Sequence, residues 1–198
     1  MKILKIFGII VIVAVALFLI VGLLLPNTAH VERSTVIKAA PSAIFEEINS
    51  TGNFNKWSPW AQIDPNTQYS FEGPQSGVGA KMSWSSEHPD VGEGAQWIVE
   101  SIENKKVTNQ LQFGGFEGDF KASITLEEDG DNTNVTWEYD ADMGGNIIGK
   151  FFGLFMDDML GPFYETGLSN LKEVAESKPA VMEEEVIEEE TEVESLNQ

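Results

Sequence analysis

Two adjacent carboxylates, Asp157 and Asp158, lie in the phenylalanine-rich run KFFGLFMDDML. A carboxyl group beside apolar surface has a raised pKa and can serve as a general acid or base. On a helix of about 3.6 residues per turn, Asp157 falls opposite the apolar stripe of this segment and Asp158 falls nearer its border. Asp158 is therefore the catalytic candidate, with a solvated rim carboxylate as the alternative. The two histidines, His30 and His88, are far apart, and the chain has no cysteine. No metal site, thiol nucleophile or disulfide framework is expected from such a set. Ser/His/Asp, Walker and Rossmann patterns are absent, so no cofactor is expected. Gly114-Gly115-Phe116-Glu117-Gly118 reads as a turn between strands, without the following helix that phosphate binding needs.

Aromatic and thioether side chains form the second group with chemical potential. Trp84, Trp97, Phe113, Trp137, Phe152, Phe155, Met159 and Phe163 could line an adaptable apolar site, or could fill a core. Trp57-Ser58-Pro59-Trp60 puts two indoles on a proline-stiffened loop, where Trp57 and Trp60 could roof the mouth of that site or pack on a sheet edge.

The elements that hold these residues follow from hydrophobic period. Val31 to Lys38 reads as a strand, and Pro41 opens a short amphipathic helix through Ile44, Phe45 and Ile48. From Tyr69 to Ala141 apolar residues alternate with polar ones in six successive runs joined by short polar turns. Such alternation is that of antiparallel strands with one apolar face, and six in sequence make a meander. Trp97 and Val99 are assigned to the apolar face of their run. At Asn146 the period changes: Ile148, Phe152, Phe155, Met159 and Phe163 recur at spacings of three and four, one stripe on a helix reaching about Glu176. Lys150 and Asp157 lie on the opposite side, Leu168, Leu171 and Val174 continue the apolar pattern, and Gly161-Pro162 predicts a kink or break. The fold class is α+β, a curved antiparallel sheet wrapped around a long C-terminal helix.

Ile6 to Leu25 are twenty positions without a charged or hydrogen-bonding side chain, which at about 1.5 Å each cover the ~30 Å hydrocarbon core of a bilayer. The run is longer than a secretory signal core and lacks a good small-residue cleavage pattern. It reads as one N-terminal transmembrane helix. Lys2 and Lys5 precede it, so the positive-inside rule puts the N-terminus in the cytoplasm and the domain in a periplasmic or extracellular space. Residues 1–28 are thus an anchor, 29–177 a single domain, and 178–198 a glutamate-rich disordered tail. The formal net charge is −20. Such a surface repels phosphate backbones, so nucleic acid is excluded as a partner.

Five segments taken in order, VERSTVIKAAPSAIFEEI, KWSPWAQIDP, GVGAKMSW, TNVTWEY and GPFYETGLSNLKEV, resemble the polyketide cyclase/dehydrase and lipid-transport superfamily, the START-like or SRPBCC group with a helix-grip fold. The resemblance covers nearly all of the domain and none of the anchor or tail. It implies a deep apolar cavity between sheet and helix that takes a hydrophobic small molecule or lipid. In some branches it implies cyclase or dehydratase chemistry, for which Asp158 or a rim tyrosine would be the acid or base. A non-catalytic envelope module acting through the acidic tail is the third expectation.

Overall fold

A computed structural model describes residues 2–116 and 118–178. The acidic segment from residue 179 onward, read above as a tail, and Glu117 of the glycine-bearing turn lie outside the described residues. Helix α1 (Lys2–Leu24) is apolar and long enough to cross a membrane and is followed almost at once by strand β1 (Thr28–Ile37). Three short helices come next: α2 (Pro41–Ile48), α3 (Thr51–Trp57) and α4 (Trp60–Ile63). Pro41 starts α2, where its missing N–H costs nothing. The Ser50 hydroxyl accepts from the Asn53 N–H to cap α3. Trp57 and Trp60, read above as loop residues, are the last residue of α3 and the first of α4, and Phe54 and Trp57 pack inward.

Strands β2 (Gln68–Glu72), β3 (Lys81–Ser85), β4 (Glu93–Ile102), β5 (Lys106–Phe113), β6 (Asp119–Asp129) and β7 (Asn132–Asp142) form the expected meander. The sheet is antiparallel throughout, in the order β1-β7-β6-β5-β4-β3-β2, so the first strand closes on the last. Asn104 and Gly130 adopt left-handed backbone in the two tight turns that join β4 to β5 and β6 to β7. Helices α5 (Ile147–Gly153) and α6 (Met156–Glu176) complete the chain, and α6 lies across β1 and β7. This is the α+β helix-grip architecture.

Three particulars differ from the sequence reading. The helix break falls at Leu154-Phe155, and α6 runs through Pro162. Pro162 and Asp158 are both exposed, so water can satisfy the Asp158 carbonyl that proline leaves without a donor. The break follows Gly153, a poor helix former. On β4 the buried side chains are Ala95, Gln96 and Ile98, while Trp97 and Val99 point to the outer face and a bulge between Ile98 and Glu100 resets the register. Finally, the stripe of Ile148, Phe152, Phe155 and Met159 faces outward. The buried face of α6 is Gly161, Tyr164, Gly167, Leu168, Leu171 and Ala175, with Met156 and Leu160 packed against the same core. Lys150, opposite the stripe as expected, is consequently buried, at 7% exposure.

Candidate functional site

The concave face of the sheet carries an unusual density of rings. Register sets Trp84 opposite Gly94 and Gly94 opposite Phe113, and one row along sets Leu111 opposite Phe120. The Trp84 and Phe113 ring centroids are 6.2 Å apart edge-on, and Phe113 and Phe120 are 5.6 Å apart. Gly94 permits this ladder, because a Cβ there would collide with the Trp84 ring. Next to Phe113, at the strand ends, is an open cleft of about 410 Å³ at the sheet rim, to which Glu93, Ala95 and Gln112 contribute from the outer face and Phe113 from the concave one.

A second cluster centres on Trp137. Tyr164 of α6 stacks on it at 3.9 Å, and Trp57 and Trp60 approach it edge-on at 5.2 and 6.3 Å. Trp57, expected at a pocket mouth, is instead fully buried in the core, and its indole N–H has no acceptor among the described residues. Trp60 is partly buried and stacks on Phe163 at 5.4 Å. Burial pushes the Tyr139 phenol up to about 12. It also holds Tyr164 well above its ordinary value, with the neighbouring Tyr139 adding to the effect. Both hydroxyls therefore stay protonated and can donate. Gln96, on the same concave face, adds a buried amide.

Arg33 fixes α6 over this surface. Its Nη1 and Nη2 donate to the two carboxylate oxygens of Asp157 at 2.9 and 3.1 Å, and its Nε donates to Glu165 Oε1 at 2.8 Å. The guanidinium holds the Asp157 carboxyl below its ordinary value, and Asp157 in turn raises Arg33. Gly161 admits the guanidinium against the helix, since a Cβ there would strike it. Asp158 sits exposed on the first turn of α6, outside the concave face, so the burial that a general acid of this kind needs is missing. Phe152, Phe155 and Met159 are about half exposed, and Trp97 is on the outer face beside Lys81 and Gln110. Of the side chains anticipated as pocket lining, the fold gathers Trp84, Phe113, Trp137 and Phe163 and turns these four away. The reading of the sequence missed Arg33, Tyr139, Tyr164 and Phe120. The glycines at 161 and 167 were the available signal: Gly167 lies where a Cβ would meet the Trp137 ring.

On the outer face, register brings His30 beside Asp140 and Glu32 beside Glu138. Ligand atoms of His30, Glu32 and Glu138 lie within 4.8 Å of one another, and His30 Nδ1 is 2.8 Å from Asp140 Oδ1. A divalent cation could be held there, although all these groups also serve as an ordinary charged strand face. Pairing of distant strands, invisible in sequence spacing, makes this group.

The model of the polyketide cyclase / dehydrase and lipid transport family matches residues 28–176, three quarters of the chain. The chain belongs to this family. Among solved structures, the family fold is shared with protein CV1439 from Chromobacterium violaceum (16% identity, TM-score 0.55, covering 77% of this chain and 99% of that one). It is shared also with norcoclaurine synthase from Thalictrum flavum, solved with dopamine and hydroxybenzaldehyde (15%, 0.57, covering 77% and 89%). The di-domain ARO/CYC BexL from the BE-7585A biosynthetic pathway is similar too (14%, 0.57), with this chain spanning 77% of itself and 52% of BexL. At these identities the likeness is one of fold. No curated protein sequence matches the chain.

Proposed function

We propose that this chain is a membrane-anchored member of the family that holds a hydrophobic small molecule or lipid against the concave face of its sheet. The observation that carries the reading is the Trp84–Phe113–Phe120 ladder, a run of ring surface on the concave face of the kind that lines small-ligand sites. Apolar burial at roughly 25 cal/mol per Å² supplies the affinity, and the Gln96 amide and the protonated tyrosine hydroxyls supply orientation. Lys2 and Lys5 in the first turns of α1, ahead of its apolar run, favour an N-terminus in the cytoplasm and a domain beyond the membrane.

The test is titration of the detergent-extracted full chain with a dansylated fatty acid, read by energy transfer from tryptophan. Removing about 100 Å² of ring surface and adding a charge with Phe113→Asp weakens binding at least tenfold. Phe155→Asp, on the outward stripe, leaves affinity unchanged. Saturable binding that ignores Phe113→Asp, or no binding by the wild type, overturns the reading.

A further inference from the structure

Ile148, Phe152, Leu154, Phe155 and Met159 form a run of large apolar side chains left open to solvent, the last two at 57% and 53% exposure. Exposed patches of this kind mark an interaction site. The fold says what lies beside this one. The first residue of β1, Thr28, pairs with the last of β7, Asp142, and the Met143 N–H donates to the Asn27 carbonyl at 2.8 Å. The chain leaving β7 therefore enters α5 at the point where α1 emerges. There α5 packs on α1 itself: Phe151 stacks on Phe18 with centroids 4.5 Å apart, and Gly22 is the residue that lets Ile147 and Phe151 come close.

Depth follows from length. The apolar run ends at Leu25, and spanning ~30 Å of hydrocarbon at about 1.5 Å per residue takes ~20 residues, essentially all of it. Phe18 lies seven residues before Leu25, or ~10 Å inside the boundary. A helix clasped to Phe18 and Gly22 is carried to that depth, which matches the ~5–10 Å to which amphipathic interfacial helices sink. The side chains next to the clasp are the open apolar ones. Phe116, exposed in the turn between β5 and β6, is at the same end of the sheet.

We propose that α5 and the first turn of α6 are a second membrane contact, with Ile148, Phe152, Leu154, Phe155 and Met159 immersed in the outer part of the leaflet that α1 crosses. This inference rests on α1 being the anchor proposed above. The partner is a neutral or zwitterionic lipid surface, because Asp157 and Asp158 adjoin the patch and the chain is strongly acidic. The contact holds the mouth of the sheet against the bilayer, so an apolar ligand passes between lipid and cleft without crossing open water.

The absence of cysteine permits a direct test. Spin labels are placed singly through Phe155→Cys, Met159→Cys and Ile148→Cys, with Leu17→Cys in the span and Asp131→Cys in the β6–β7 turn at the far end. The full-length variants are placed in phosphatidylcholine nanodiscs and probed with oxygen and with a water-soluble nickel chelate. The expected oxygen-to-nickel accessibility ratio at 148, 155 and 159 is close to that at 17 and several-fold above that at 131. Water-like ratios at all three with a lipid-like ratio at 17 overturn the second contact and leave the anchor standing. A water-like ratio at 17 overturns the anchor and this inference together. Exclusion of both reagents with spin–spin broadening between chains assigns the patch to a second copy and overturns the membrane contact.

Discussion

Tyrosine is the residue whose environment this fold changes most. All three phenols, Tyr69 among them, are raised by burial, Tyr139 to about 12 and Tyr164 well beyond its ordinary value. A phenol raised in the folded state contributes stability that is fully present below the unfolded value near 10 and is lost as pH climbs through the folded value. Absorbance titration at 295 nm should thus show incomplete phenolate formation at pH 11, with the last tyrosine ionising only as the fold melts. Three phenolates appearing together near pH 10 in a folded chain would sink this account. None of it was legible in spacing. Tyr139 reads as one apolar-face residue among several, and Tyr164 stands next to Phe163, which the helical stripe favoured. Asp157 illustrates the same limit, because its partner Arg33 is 124 residues away and meets it only when α6 crosses β1.

At the scale of elements, α6 is pinned at both ends. Arg33 holds its first turns. At the other end Lys178 reaches back to α2 and donates to Glu46 and to Glu47, whose side chain is almost wholly buried. Burial lowers the Lys178 ammonium, and the hydrogen bonds of Glu47 and Glu46 outweigh that and raise it. Without Lys178 the buried Glu47 keeps only the longer 3.9 Å contact with Lys56, so Lys178→Met should cost about 2–3 kcal/mol in urea unfolding, somewhat less than the ~3–5 typical of fully buried pairs. Gly161→Ala should also destabilise, and its effect should shrink in an Arg33→Ala background because the guanidinium is what the new methyl meets. Equal costs in both backgrounds would show that Arg33 does not press on the helix. The period of this segment was partly readable from sequence: residues 148, 152, 155 and 159 are all exposed and Lys150 is buried, but the stripe is divided between two helices and Phe163 is partly buried against Trp60. Its direction was not, because amphipathicity marks two unlike sides of a helix without saying which of them meets the core.

For the whole molecule the dominating quantity is a net charge of −20 on 198 residues. Self-repulsion of that size opposes compaction and is screened over ~10 Å at 0.1 M salt. The thermal midpoint of the extracted chain should therefore rise as sodium chloride increases from about 0.02 to 0.3 M, a range in which the Debye length falls severalfold. A falling midpoint would mean that surface ion pairs outweigh the repulsion. The sequence by itself determined the anchor candidate, the seven strands and their apolar faces apart from β2, where Phe71 is exposed, and the bulged β4, the closing helix and the family. Each of these depends on local periodicity or on the order of segments, and both survive in one dimension. Only the tertiary structure decided which aromatic residues look into the concave face, which acid is paired and which is left at the surface. It also decided that the oiliest helical stripe turns outward beside α1. Those outcomes depend on strand register and helix rotation, where a shift of one residue moves a side chain to the opposite face of a strand, and no neighbour in sequence reports it.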